Sequence, residues 1–376
     1  MKKFLVLCSF ATFFLAVSGL SAAQKVEVDK GQSLELHSMS FRGTFTNASM
    51  SPSSGRLILN SQGGAVTLYD FSDRSMKEIA DRQKNLNKTV VTFIISPSGQ
   101  EIAYTSLQSI FSFSNGKGGV FFTVKRPQDA AYTEYIRFNN RADEIFTFAG
   151  SGSKDSCVIS IWDLKTKTCR HLKDLKDESH CSSPLSAAFS PDDTKIATTS
   201  MGGTVKIWDV QTVEPLLTLS VGSPGDWAKS AEFDSSGTKI ITASNDKHIK
   251  IWDVQTGECL TTIEGHEGPV NFAMFCTHED LIISCSNDKS LKLWNASAHE
   301  LYGTFNFDHP VKSACFMADG KTLVVQLMTS GTIKKEVCVV GVVNPLTQKF
   351  ERFDKALLAA LSLNQEKIKI VTSVID

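Results

Sequence analysis

Tryptophan is scarce in this chain, 5 in 376 residues, and proline numbers only 10. Neither sign of charge is in excess: 39 Lys and Arg stand against 40 Asp and Glu, for a net charge of -1. That balance gives no electrostatic basis for binding nucleic acid or an anionic membrane surface. Metal-ligand spacing of the C-x-x-C, H-x-x-H or H-E-x-x-H kind is missing, so no metal and no other cofactor is expected. Beyond the first residues no apolar run approaches the roughly 20 residues of a membrane-spanning helix. Helical periodicity of useful length is absent there as well. A 41% hydrophobic content with 21% charged residues excludes collagen-like, disordered and polytopic membrane chains.

What is present begins with an address. Lys2 and Lys3 precede an apolar stretch from Phe4 to Val17, and small residues follow up to Ser21-Ala22-Ala23. A positive start, a short apolar middle and a small-x-small end are the parts of a secretory signal peptide. Residues 1–23 therefore read as a signal peptide and 24–376 as a single mature domain. The expected location is exported, periplasmic or extracellular, with no stable membrane span after cleavage. Eight cysteines remain after Cys8, an even number that permits disulfides. Most sit in alternating apolar runs such as Ile283 to Ser286, which favours buried small hydrophobes over a disulfide framework.

Two marker series recur about every 44 residues, the length of a propeller-blade repeat. One is a polar turn after a short apolar run. Its copies are Ser51 to Gly55, Ser96 to Gly99, Asn139 to Arg141, Ser190 to Asp193, Asp234 to Gly237, Thr277 to Asp280, Met317 to Gly320 and Asn364 to Glu366. The other closes a β-rich run with an aromatic-acidic pair or its degenerate form: Tyr69-Asp70, Trp162-Asp163, Trp208-Asp209, Trp252-Asp253 and Trp294-Asn295. One unmarked copy of this second series is placed at Val120 to Val124. The runs between markers are rich in β-branched residues and bounded by Gly, Asn and Asp, which predicts four short strands per repeat. One such sheet cannot bury both faces alone, so copies must stack radially.

Gly265-His266 followed by Leu281 to Asn295 resembles the WD40-repeat β-propeller family, and Ile240 to Asp253 matches nearly as well. The resemblance implies an all-β propeller of four-stranded antiparallel blades. Dividing residues 24–376 by the repeat length gives eight blades, with seven as the alternative. The ring would close by pairing N- and C-terminal strands, Lys25 to Phe41 adding outer strands to inner strands from Leu357 to Val374. The resemblance also implies a structural hydrogen-bonded set of His266, Ser284, Asp288 and Trp294. A His-Ser-Asp trio invites a hydrolase reading, but no strained, exposed serine turn accompanies it. Catalytic residues are therefore not assigned. Elsewhere the set is incomplete: Thr242, Asp246 and Trp252 remain, with Gly222-Ser223 near the expected Gly-His, and His180 matches His266 while Gly202 replaces the aspartate.

Trp227 is the one tryptophan that the repeat does not require. It precedes an innermost strand, on the rim where propellers present loops. Two readings compete: an aromatic anchor for a partner, or a packing residue that covers a neighbouring blade. Asn245 and Asn287 lie on the same predicted rim and are weaker candidates, because Asn at a tight turn commonly serves the backbone. Ser114 to Gly119 reads as a loop without the Gly-Lys-Ser/Thr ending of a phosphate site. The expected function is a non-enzymatic protein-protein interaction scaffold with one or more protein partners and no nucleic acid. The alternatives are a propeller-type hydrolase or lactonase, and a carbohydrate- or small-ligand-binding protein.

Overall fold

The short β-branched runs form strands, and no helix occurs among the described residues. The computed structural model describes residues 24–28, 32–51, 53–61, 66–70, 75–80, 90–106, 109–114, 120–125, 132–150, 158–171, 184–223, 225–276, 280–307, 309–316, 322–328, 335–343 and 372–375. The proposed signal peptide, His180, Asn115 to Gly119 and Leu357 to Val371 lie outside them.

The chain starts with β1 (Gln24–Val28) and the long β2 (Gln32–Ser51), then β3 (Arg56–Ser61), β4 (Val66–Asp70) and β5 (Ser75–Ala80). A sheet of four follows, β6 (Val90–Ile95), β7 (Ile102–Ser106), β8 (Ser109–Ser114) and β9 (Val120–Lys125). The next is β10 (Tyr132–Phe138), β11 (Glu144–Gly150), β12 (Val158–Asp163) and β13 (Cys169–His171). Then come β14 (Pro184–Phe189), β15 (Lys195–Ser200), β16 (Thr204–Asp209) and β17 (Pro215–Ser220). The best-marked repeats give β18 (Ala228–Phe233), β19 (Lys239–Ser244), β20 (Ile249–Asp253) and β21 (Cys259–Ile263), and β22 (Val270–Phe275), β23 (Leu281–Ser286), β24 (Ser290–Asn295) and β25 (Leu301–Asn306). The last strands are β26 (Val311–Phe316), β27 (Thr322–Met328), β28 (Lys335–Val343) and β29 (Thr372–Ile375).

Each four-stranded sheet is antiparallel in chain order, and its first strand packs against the first strand of the next sheet. Burial follows from that stacking. The second strand of a sheet has a neighbouring sheet on both faces, so all six residues of β23 are buried. The fourth strand is the outer edge, and β17 alternates between exposed and covered residues. Hydrophobic clusters lie between sheets: Ile241, Ile251 and Ile263 of one meet Val270, Ile282 and Trp294 of the next. A register shift recurs near the start of the first strand, between Ala228 and Ser230 and again between Val270 and Phe272. Such a repeated bulge re-aims the side chains at one end of the strand.

Two expectations need correction. Val120–Lys125 is the fourth strand of its sheet and Ser109–Ser114 the third. The aromatic-acidic marker that locates third strands is missing there, and both apolar runs have the same β-rich character. The second concerns Lys25 to Phe41. Here β1 and the start of β2 do form a hairpin, but Glu35 to Phe41 continues antiparallel along β28, from Glu35 with Val343 to Phe41 with Val337. Only a short parallel pairing, Ser38 to Phe41 with Thr372 to Ile375, joins β2 to the last strand. The edge of β28 offers unpaired backbone groups, and the nearest strand to satisfy them is β2. The end of β2 meanwhile pairs with β3, so one strand serves two sets of four.

The cysteines divide by position. Cys285 is buried and Cys259 exposed, while Cys169, Cys276 and Cys315 lie between these extremes, all five as free thiols. Burial pushes the Cys285 thiol well above its ordinary value and that of Cys315 up to about 12.

Candidate functional site

The best-formed polar network joins a loop, two strands and the turn between those strands. His266 stands between β21 and β22, Ser284 is on β23, Asp288 is in the β23–β24 turn and Trp294 is on β24. His266 Nδ1 lies 2.7 Å from Asp288 Oδ2, His266 Nε2 2.7 Å from Ser284 Oγ, and Trp294 Nε1 donates to Ser284 Oγ at 2.8 Å. A carboxylate only accepts, so Nδ1 carries the proton facing Asp288, and Nε2 accepts from the Ser284 hydroxyl. The chain of donors then runs without a gap: indole N–H to serine oxygen, serine O–H to imidazole, imidazole N–H to carboxylate.

Asp288 is further held by the backbone N–H of Glu267 at 3.0 Å, the N–H of Ser290 at 2.8 Å and the Ser290 hydroxyl at 2.6 Å. Burial opposes its charge, yet the hydrogen bond from His266 and those from Ser290 outweigh it, and the carboxyl sits well below the usual carboxylate range. Ser284 has no exposed surface. A buried hydroxyl with both neighbours engaged holds strands together and presents nothing to a substrate.

Other sheets keep only parts of this arrangement. Trp208 donates to Thr198 at 2.8 Å, Trp252 to Thr242 at 2.9 Å and Trp162 to Thr147 at 2.9 Å. Where the histidine before the first strand is missing, Asp246 takes Ser244, the N–H and Nδ1 of His248 and Lys250 Nζ instead. Lys250 also donates to the Val221 carbonyl. The acidic partner of each tryptophan has a separate task. Asp253 Oδ1 accepts from the N–H of Gln255 and Thr256 at 2.8 and 2.7 Å, and Asp163 accepts likewise from Lys165 and Thr166 at 2.9 and 2.7 Å. These carboxylates cap the turn into the fourth strand.

The rim residues separate as follows. Trp227 is 39% exposed, the one aromatic among the large exposed hydrophobic side chains of the described residues. Its carbonyl accepts from the N–H of Asn245 at 3.0 Å, so these two are brought together. Asn245 is half-buried and Asn287 exposed. Asn287 belongs to the next sheet, where its N–H donates to the Pro269 carbonyl and its Oδ1 accepts from Asn271 Nδ2 at 2.8 Å. Asn271 Nδ2 also donates to the Val311 carbonyl at 2.7 Å and its Oδ1 accepts from Lys229 Nζ at 2.8 Å.

The loop carrying Trp227 is braced from below. Asp226 N–H donates to the Ser223 carbonyl at 2.9 Å, and Asp226 Oδ2 accepts from Ser223 N–H at 2.8 Å. Gly203 of the neighbouring turn has φ +76, and a Cβ there would lie 2.7 Å from the Asp226 carbonyl oxygen. Only glycine both adopts that backbone and leaves room for the loop.

Two groups escaped sequence reasoning. Arg137 on β10 donates to the Ala187 carbonyl of β14 at 2.8 Å and reaches Glu232 of β18 through two bonds, at 2.8 and 3.1 Å. Burial works against the Arg137 charge, but Glu232 outweighs it and pushes the guanidinium up. At the other end of the strands Asp193 accepts from Asn140 N–H at 2.9 Å, Asn140 Nδ2 at 2.8 Å and Arg141 Nε at 3.1 Å. Both groups tie separate repeats together, and no local spacing announces partners 95 or about 53 residues apart.

No curated protein matches the chain. The sequence model of the nucleolar protein 10-like N-terminal β-propeller domain matches residues 95–294, from the end of β6 to the tryptophan of β24. Those residues carry three whole antiparallel sheets, most of two more and every Trp-to-Ser/Thr bond described above, and with more than half its length matched the chain belongs to this WD40-type β-propeller family.

Proposed function

We propose that this protein is a non-enzymatic scaffold that holds a protein partner on the rim carrying Trp227, Asn245 and Asn287. The observation that carries the reading is an exposed tryptophan on a loop already fixed by Ser223, Asp226 and Asn245. Large exposed aromatics in preorganised positions lose little freedom on binding and dominate interface energetics. The same tryptophan is a suitable platform for a sugar ring, so carbohydrate binding is the second reading.

The ring in this proposal has seven blades. The start of β2 completes the β26–β28 set as its fourth strand, and the end of β2 opens the set made with β3, β4 and β5. The pairing registers of β2 support this closure. Residues 24–376 form the mature, exported domain. The family's name refers to the nucleolus, but the Lys2-Lys3 start and the apolar stretch from Phe4 argue for export here.

Affinity capture with residues 24–376, alongside Trp227→Ala, tests the scaffold reading. The variant is expected to keep the wild-type melting temperature and lose the captured protein. Unfolding of the variant, or undiminished capture, would reject the assigned rim. Binding of a glycan array instead of protein would move the assignment to the second reading.

A further inference from the structure

Ser160 on β12 and Cys169 and His171 on β13 make a small cluster at the outer edge of their sheet, away from the rim of Trp227 and the set around His266. Residues two apart on a strand share a face, and here Cys169 Sγ lies 3.7 Å from His171 Nε2. The other ring nitrogen, Nδ1, is 2.9 Å from the hydroxyl of Ser160, which sits directly across the ladder from His171. Ser160 is buried and so fixes the ring, while His171 is exposed and Cys169 half-buried. A thiol sulfur and a ring nitrogen thus converge on the solvent side of the fourth strand with the imidazole already oriented.

We propose that Cys169 and His171 form a binding site for a soft divalent cation of the zinc class. With Zn–S near 2.3 Å and Zn–N near 2.0 Å, tetrahedral geometry places the two donor atoms about 3.5 Å apart. The observed 3.7 Å needs only a slight closing of the pair. The Ser160 contact leaves Nε2 to the metal and acts as the outer hydrogen bond that ligating histidines regularly have. Metal binding displaces the thiol proton to solvent, so the ligand is the thiolate. Two protein ligands leave two positions for water. No group of three or more His, Cys, Asp or Glu side chains poised for a metal occurs among the described residues. Sequence spacing alone passed over the pair, because Cys-x-His gains its meaning only from the extended backbone of β13.

The test is titration of the reduced, folded protein with Co2+ alone, followed in the near ultraviolet for thiolate-to-cobalt charge transfer, and with Zn2+ as competitor. Wild type and Cys259→Ser are expected to give the same saturable band at one equivalent, since Cys259 is exposed beside Thr261 and Thr262 and has no assigned histidine partner. Cys169→Ser should abolish the band and His171→Gln should weaken binding at least tenfold. Ser160→Ala keeps both ligands and should weaken binding by roughly 10- to 100-fold, the usual cost of losing an outer hydrogen bond. Circular dichroism of each variant separates misfolding from ligand loss. A folded wild type with no band, a band that survives Cys169→Ser, or undiminished affinity in His171→Gln overturns the proposal.

Discussion

Replacing Ser284 with alanine removes one oxygen and leaves two buried groups without partners. The Trp294 indole N–H loses its acceptor at 2.8 Å and His266 Nε2 loses its donor at 2.7 Å. Each hydrogen bond is worth about 1 kcal/mol net, and an orphaned buried group adds about 1 to 3 kcal/mol. Some relaxation is expected, so the variant should lose about 3 kcal/mol. Thr242→Val in the preceding sheet is the internal control. Thr242 is equally buried and accepts from Trp252 at 2.9 Å, but no imidazole adjoins it. That change keeps the side-chain volume, orphans one indole and gives up a long bond to the Lys250 carbonyl at 3.4 Å, for a loss of about 1 to 2 kcal/mol. Urea unfolding measures both, provided the slope is unchanged between variants. Equal losses, within about 0.5 kcal/mol, would refute the argument that histidine, serine and tryptophan act as one network.

Two further outcomes follow from the same physical reasoning. Arg137→Met leaves Glu232 facing a neutral chain, and because the Arg137 side chain is 35% exposed the loss should be about 2 kcal/mol, the lower range for a partly buried pair. A double-mutant cycle with Glu232→Met should recover part of it, and independent, additive losses would show that the pair contributes no coupling. Acid should also destabilise the fold. The folded-state pKa of Asp288 lies below its ordinary 3.8 despite burial, chiefly through the bond from His266. A depressed carboxylate contributes stability that is complete above the unfolded value and lost as pH falls through it toward the folded one. Asp246 shifts in the same sense, while burial holds Glu144 above its ordinary value and works oppositely. The urea midpoint of wild type should therefore start to fall below about pH 5 and keep falling below pH 3, and that of Asp288→Asn should fall less. Parallel curves for the two proteins would contradict the assignment.

How much was legible in the sequence depended on how local the cause was. The polar turns after apolar runs and the Trp-Asp pairs locate strands within a residue or two, because turn chemistry and strand periodicity act over fewer than ten residues. The set of His266, Ser284, Asp288 and Trp294 followed from the WD40 resemblance, whose motif residues lie within one repeat. Where the marker is lost, as between Asp70 and Asp163, no local signal separates the third strand from the fourth. The second role of the marker also escaped notice, since only the turn geometry reveals that Asp253 caps two backbone N–H groups.

The sequence by itself determined the repeat, its period and the strand class, and its resemblance to WD40 repeats implied the hydrogen-bonded set around His266. Tertiary structure alone decided what crosses between repeats. It gave Glu35 to Phe41 to β28, carried Arg137 past β14 to Glu232, and set a cysteine and an imidazole side by side on an outer strand. The physical reason is the same in each case. Backbone and side-chain propensities are spent within a few residues, whereas an unpaired strand edge or a desolvated charge is satisfied by whichever distant group the stacking of sheets brings within 3 Å or so.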